Sequence, residues 1–181
     1  MSDVSILLKA LHFAADKHRD QRRKDVNTSP YINHPIGVAQ ILSEVGGVDD
    51  PEILAAAILH DTVEDTETSL AELSREFGDR VARIVSEVTD DKSLSKADRK
   101  KRQIEHAPEL SEEGALVKVA DKISNVTDVS NNPPSGWDIN RRMEYLDWAE
   151  RVVGKCPVVN TPLLAKFELM LASGRSAVGI Q

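Results

Sequence analysis

Cysteine is all but missing from this chain: Cys156 is the only one in 181 residues. No disulfide can form within the chain, and a reducing compartment is the default expectation. No apolar run approaches the roughly 20 residues that a membrane-spanning helix needs. The first residues, Met1-Ser2-Asp3-Val4, lack the basic start and apolar stretch of a secretory signal. Positive charge is not in excess either. A net charge of -7 argues against general binding to nucleic acid or to an anionic membrane. A cytoplasmic protein with a small-molecule partner is the simplest account. Nothing in the sequence specifies an oligomeric state.

Alternating apolar and polar runs of the strand type are also lacking, as are repeats and linkers. Helical periodicity dominates instead. Val4 to Lys17 places Ile6, Leu7, Ala10, Leu11 and Ala14 on one face. Pro35 suits a first helical turn, and Ile36, Ala39 and Leu42 continue the stripe up to Gly46-Gly47. Asp50-Pro51-Glu52 opens the next helix, an almost unbroken apolar run from Ile53 to Leu59. Ser69-x-x-Glu72 reads as a capping box, and Ser95 with Asp98 can cap a basic helix reaching about His106. Asp79 to Val88, Ser111 to Val129, Ile139 to Val153 and Pro162 to Ala172 complete the set. The expectation is one all-α domain over residues 1–181, a bundle of about eight to ten helices. Its core spans about 4–172, with a frayed tail from Ser173 onward.

The apolar run Ile53–Leu59 ends abruptly in His60-Asp61, followed by Glu64-Asp65. Ionisable groups at the end of a buried helix need a reason, because uncompensated charge there is costly. His34 precedes the second apolar segment, and Asp121 lies within another. A His-Asp dipeptide or a lone His before proline is weak evidence singly; the set is stronger. Imidazoles and carboxylates hold hard and borderline divalent ions and leave positions open for water and substrate. If Ala55 to Asp65 stays helical, Glu64 and Asp65 lie one turn beyond His60 and Asp61. That arrangement reads as a metal-hydrolase site with carboxylates left for proton handling. Asn125, four residues beyond Asp121, faces the same way without adding charge.

At these residues the chain resembles the HD phosphohydrolase superfamily. More narrowly it is similar to the hydrolase domain of RelA/SpoT enzymes, and most of all to the stand-alone small alarmone hydrolases of the metazoan SpoT-homologue type. The matching stretches include His18-Arg19-x-Gln21-Arg22-Arg23-Lys24-Asp25, Pro30 to Pro35, Leu59 to Asp65, Glu87 to Lys92, and Lys118-Val119-Ala120-Asp121-Lys122-x-x-Asn125. The resemblance implies an HD-type helical bundle that removes the 3′-pyrophosphate of ppGpp or pppGpp. It implies one Mn2+ ion on His34, His60, Asp61 and Asp121, with other divalent metals not excluded. Glu64 and Asp65 would orient or activate the attacking water. Arg23, Lys24, Lys96, Asn125, Arg141 and Tyr145 would contact substrate. The segment Asp25-Val26-Asn27-Thr28-Ser29 departs from the long enzymes and matches the small ones. The chain is too short for their synthetase and regulatory domains, so degradation without synthesis is expected.

A highly anionic substrate on an acidic protein must be steered by local cations. Arg19, Arg22, Arg23 and Lys24 form one cluster, and Lys92 to Arg102 another. Arg99 to Arg102 read as a solvated helix face; His12, His18 and His106 read as packing or surface residues. Tyr145 and Trp148 lie three apart on one helix, so core packing is the default for both. Two other functions stay open at this point. One is a related phosphohydrolase acting on another nucleotide such as NADPH. The other is a catalytically silent nucleotide-binding module, against which the Glu64-Asp65 pair argues.

Overall fold

The computed structural model describes residues 2–179. Ten α-helices and one 3-10 turn are present among them: α1 (Asp3–Lys17), α2 (Asn33–Glu44), α3 (Pro51–Leu59), α4 (Thr62–Asp65), α5 (Leu70–Phe77), α6 (Asp79–Val88), α7 (Lys96–His106), α8 (Glu112–Asn131), α9 (Ile139–Val153) and α10 (Thr161–Gly179), with the 3-10 turn at Ala107–Glu109. Extended pairing among the described residues is limited to one isolated bridge, Arg22 with Pro30.

Helix α3 is the axis of the fold. Asp50 caps it by accepting from the N–H groups of Glu52 and Ile53, and Pro51 occupies its first turn. Every residue from Ile53 to Leu59 is buried. Such a helix is apolar all round, so it must be enclosed. Helices α1, α2, α6 and α8 pack around it, and α10 covers α8. Ser69 and Ser95 cap α5 and α7 as their patterns predict, and Ser111 caps α8. With few aromatics, the interior is mainly Ala, Val, Leu and Ile; the Phe13–Phe77 edge contact, with ring centroids 5.4 Å apart, is an exception.

Two expectations are corrected. The helix through Ala55 to Asp65 is not continuous: α3 ends at Leu59 and α4 begins at Thr62. The Thr62 hydroxyl donates to Leu59 O at 2.7 Å, which satisfies that carbonyl from a side chain and turns the chain. His60 and Asp61 therefore occupy a turn, and both reach the same cavity. The tail is also not frayed through 173–179. Helix α10 continues to Gly179 with Gly174 and Val178 buried. A Cβ at Gly174 would collide with Ser130 Oγ, so glycine here permits close approach to α8. Arg175 donates to Asp147 and Glu150 of α9 at 2.7 and 2.6 Å. Residues 180 and 181, the end of the expected tail, lie outside the described residues.

Candidate metal centre and substrate cleft

Packing of α2 and α8 against α3 brings three segments to one point. His34 from α2, His60 after α3 and Asp121 from α8 each offer a ligand atom, and these atoms lie within 4.8 Å of one another. His34 Nε2 is 3.2 Å from Asp121 Oδ1, and His60 Nε2 is 3.7 Å from it. Asp61 joins them: its Oδ2 is 3.2 Å from His60 Nε2 and 3.7 Å from His34 Nε2.

The surrounding hydrogen bonds orient each group. His60 Nδ1 lies 2.7 Å from Ala57 O; a carbonyl only accepts, so Nδ1 carries the hydrogen and Nε2 is left for a cation. That Nε2 is buried and has no hydrogen-bond partner. His34 Nδ1 sits 3.0 Å from Ser124 Oγ. Tyr31 donates its hydroxyl to Asp61 Oδ2 at 2.6 Å. Asn125 donates to Asp121 Oδ1 at 2.6 Å, and the buried Lys122 donates to Oδ2 at 3.0 Å. Burial alone would raise the Asp121 carboxyl; Lys122 and the two imidazoles outweigh it and hold it well below the usual carboxylate range. Burial likewise disfavours a charged His60, yet Asp61 and Asp121 override it and push the imidazole up to about 10. The cluster thus attracts positive charge strongly, and its unpaired buried nitrogen and mixed N/O donors suit a divalent ion.

Glu64 and Asp65 line this cavity, of about 150 Å³, but in different states. Glu64 is largely buried and accepts one bond, from Asp90 N–H at 3.0 Å. Burial first, then the carboxylates of Asp90, Asp61 and Asp65, push it up to about 7. Asp65 is instead engaged: Gln21 Nε2 donates to Oδ2 at 3.0 Å, and Lys92 pairs with Oδ1. Gln21 is itself set by His18, buried and tilted against Tyr31. His18 thus packs, as expected.

A second cavity, of about 340 Å³, adjoins the first and shares Arg23, Tyr31, Asp65 and Asn125 with it. Arg23 pairs with Asp128 at 2.5 Å, donates to Asn125 Oδ1 at 3.1 Å and stacks 5.7 Å over Tyr31. Its backbone N–H donates to Ser29 O, so the Asp25–Ser29 loop closes on itself and steadies Arg23. Lys24 is exposed on the wall of the larger cavity, which Tyr145 and Trp137 also line. Lys96 and Arg141 do not line either cavity. They sit on the outer rim against Trp137, 6.0 and 4.5 Å from its ring centre. Helix α7 buries no side chain fully; Lys101 and Arg102 are exposed, whereas Arg99 and Lys100 are half-buried, with Lys100 5.0 Å from the Trp148 ring centre.

Sequence reasoning missed Tyr31, Gln21, Ser124, Lys118 and Lys122 as members of the site. Lys118 and Lys122 did carry a signal: two lysines four apart within the apolar stripe of α8, both buried. Tyr31 and Ser124 carried none, because their roles exist only across elements.

This bundle, with its His34, His60-Asp61 and Asp121 centre, is that of an HD-domain protein. The family model described as an HD domain matches residues 10–146, and the chain belongs to that family; the fold implies a divalent metal. Among named proteins, the chain is 55% identical over 152 residues to the guanosine-3′,5′-bis(diphosphate) 3′-pyrophosphohydrolase MESH1 of Danio rerio, covering 84% of each. It is 40% identical over 124 residues to a guanosine-3′,5′-bis(diphosphate) 3′-pyrophosphohydrolase of Aquifex aeolicus, covering 65% of this chain but 17% of that one. A solved structure described as a metazoan ortholog of SpoT that hydrolyzes ppGpp superposes with a TM-score of 0.90 at 44% identity, covering 92% of this chain and 94% of that one.

Proposed function

We propose that this chain hydrolyses ppGpp and pppGpp in a metal-dependent reaction, releasing the 3′-pyrophosphate to leave GDP or GTP, and that it makes no alarmone. The observation that carries this reading is the joint placement of a buried His/Asp centre, a carboxyl raised to about 7 and an adjoining nucleoside-sized cavity. The activities named for the relatives point the same way. The family match over 10–146 and one buried core running from Ala10 to Val178 support reading residues 1–181 as one hydrolase domain. The buried single thiol, Cys156, suits the reducing cytoplasm.

His34, His60, Asp61 and Asp121 would hold the ion. Mn2+ is the ion proposed; iron, cobalt or zinc also suits these donors. When bound, the ion lowers the pKa of a water and polarises a phosphoryl oxygen. The protein supplies the rest. Glu64 takes a proton from the water as its oxygen attacks the phosphorus joined to the ribose 3′-oxygen. The P–O3′ bond breaks, the 3′-oxygen gains a proton, and pyrophosphate departs carrying the oxygen of the water. Asp65, held by Gln21 and Lys92, orients that water. Arg23, Lys24 and Asn125 meet phosphates, Tyr145 flanks the nucleoside, and Lys96 and Arg141 steer anions at the rim. No nucleic acid or membrane takes part.

Turnover of a nucleotide panel by metal-loaded protein tests this. Guanosine tetraphosphate should yield GDP and pyrophosphate, one of each, with no alarmone formed from ATP and GDP. Cleavage of NADPH with guanosine tetraphosphate untouched would overturn the substrate, and inertness toward the whole panel would favour a binding module.

Arg23→Ala with Lys24→Ala should chiefly raise KM. Each lost charge-assisted contact is worth roughly 1.5–3 kcal/mol. Lys24 is exposed, so its share should shrink as salt screens it, whereas that of the half-buried Arg23 should persist. An unaltered KM would move the phosphates elsewhere, with the Lys92–Arg102 segment next in line.

A further inference from the structure

The metal cavity has a far wall, away from the nucleoside side. Val88, Asp90, Gln103 and Lys118 form it, and none of them lines the larger cavity. The same four residues also line a small annex of about 80 Å³ beyond, whose wall carries Arg99 and Arg102 together with Glu87 and Asp91. Three spaces thus lie in series: nucleoside cavity, metal centre, annex.

Lys118 stands between the last two. It is only 7% exposed. Its ammonium donates to Val88 O at 2.9 Å, and among the described residues no carboxylate pairs with it. An ammonium has three donors, so two remain available. The bond to Val88 O explains one of them, as a cap on the end of α6. It does not explain a charge, because a neutral amide would cap the helix at far lower desolvation cost. Lys122, four residues on, is equally buried but spends its charge on Asp121. Lys118 makes no such pair: burial holds its ammonium below the usual lysine range, and the carboxylates of Asp121, Asp90 and Glu64 act on it only from beyond ion-pair distance.

We propose that Lys118 binds the departing pyrophosphate and holds it on the far side of the metal centre from the nucleoside. The inference rests on the hydrolase reading above. A bound nucleotide product would fill the larger cavity, so the second product is received on the opposite wall.

Titration calorimetry of the manganese-loaded protein, with inorganic pyrophosphate and separately with GDP, tests the proposal. Lys118→Gln keeps a donor for Val88 O and loses only the charge; Lys118→Met loses both. Both variants should bind pyrophosphate at least tenfold more weakly than wild type, with GDP affinity within twofold. Lys118→Gln should melt within a few degrees of wild type, and it decides the matter alone if Lys118→Met does not fold. Unchanged pyrophosphate affinity in Lys118→Gln, no pyrophosphate binding by wild type, or equal loss of both products would overturn the proposal. Failure of wild type to cleave guanosine tetraphosphate would overturn the hydrolase reading instead, while pyrophosphate binding would still report on Lys118.

Discussion

His60→Ala should give a folded, helical protein that retains no divalent ion and turns over no substrate. The imidazole contributes its Nε2 to the centre and only one bond, to Ala57 O, to the fold. Removing it takes away a donor and, with the ion gone, the charge stabilisation of the reaction. That loss is worth several kcal/mol, so turnover should fall by roughly three orders of magnitude or more. Metal analysis, circular dichroism and a turnover assay on one preparation check it; full metal content would remove His60 from the ligand set. Asp121→Ala makes an instructive contrast. It too should empty the centre, but it strands Lys122, a cation 3% exposed that relies on Asp121. Breaking one side of a buried pair costs about 3–5 kcal/mol. With chelator present, Asp121→Ala should therefore melt well below His60→Ala; equal melting points would contradict the dependence of Lys122 on Asp121.

Glu64→Gln should keep metal and substrate binding and lose turnover by about two to four orders of magnitude, the usual scale for a general base. Wild-type turnover should rise with pH as Glu64 ionises. In the metal-free protein that ionisation is centred at about 7; a bound cation lowers it, so the rising limb falls below that value. The rising limb should vanish in Glu64→Gln. A stability effect of opposite sign follows. The folded-state pKa of Glu64 is raised above its ordinary 4.5, so the folded chain holds a proton that the unfolded chain releases. Stability is then greatest below 4.5 and declines as pH rises through about 7. With chelator present, Glu64→Gln should melt above wild type at pH 8 and level with it at pH 4. Unchanged turnover would deny Glu64 its role. An equal melting difference at both pH values would deny the burial argument.

Asp65 shows why two adjacent carboxylates diverge. In sequence they are one Glu-Asp pair. In space Lys92 and Gln21 neutralise and fix Asp65, while Glu64 faces Asp90 and a buried wall. The partners lie 27, 44 and 26 residues away, beyond any local pattern. Lys96 and Arg141 diverge similarly from the other expected substrate contacts. Neither lines a cavity; both lie against Trp137, which itself lines the larger one, 6.0 and 4.5 Å from its ring centre. Tyr145 and Trp148 do pack together, with ring centres 5.3 Å apart, and Tyr145, also an expected substrate contact, lines the larger cavity.

By itself the sequence determined the all-α character, the caps at Ser69 and Ser95, the enclosure of α3 and the kinds of atom available for a metal. These are local properties, set by a 3.6-residue period, by capping side chains and by ligand chemistry. The turn at His60-Asp61, the ordered end of α10, the raised Glu64 and the burial of Lys118 without an ion pair were decided only by the tertiary structure. Each depends on what a distant element presents at close range, and desolvation and Coulomb energies take their values only once the chain has packed.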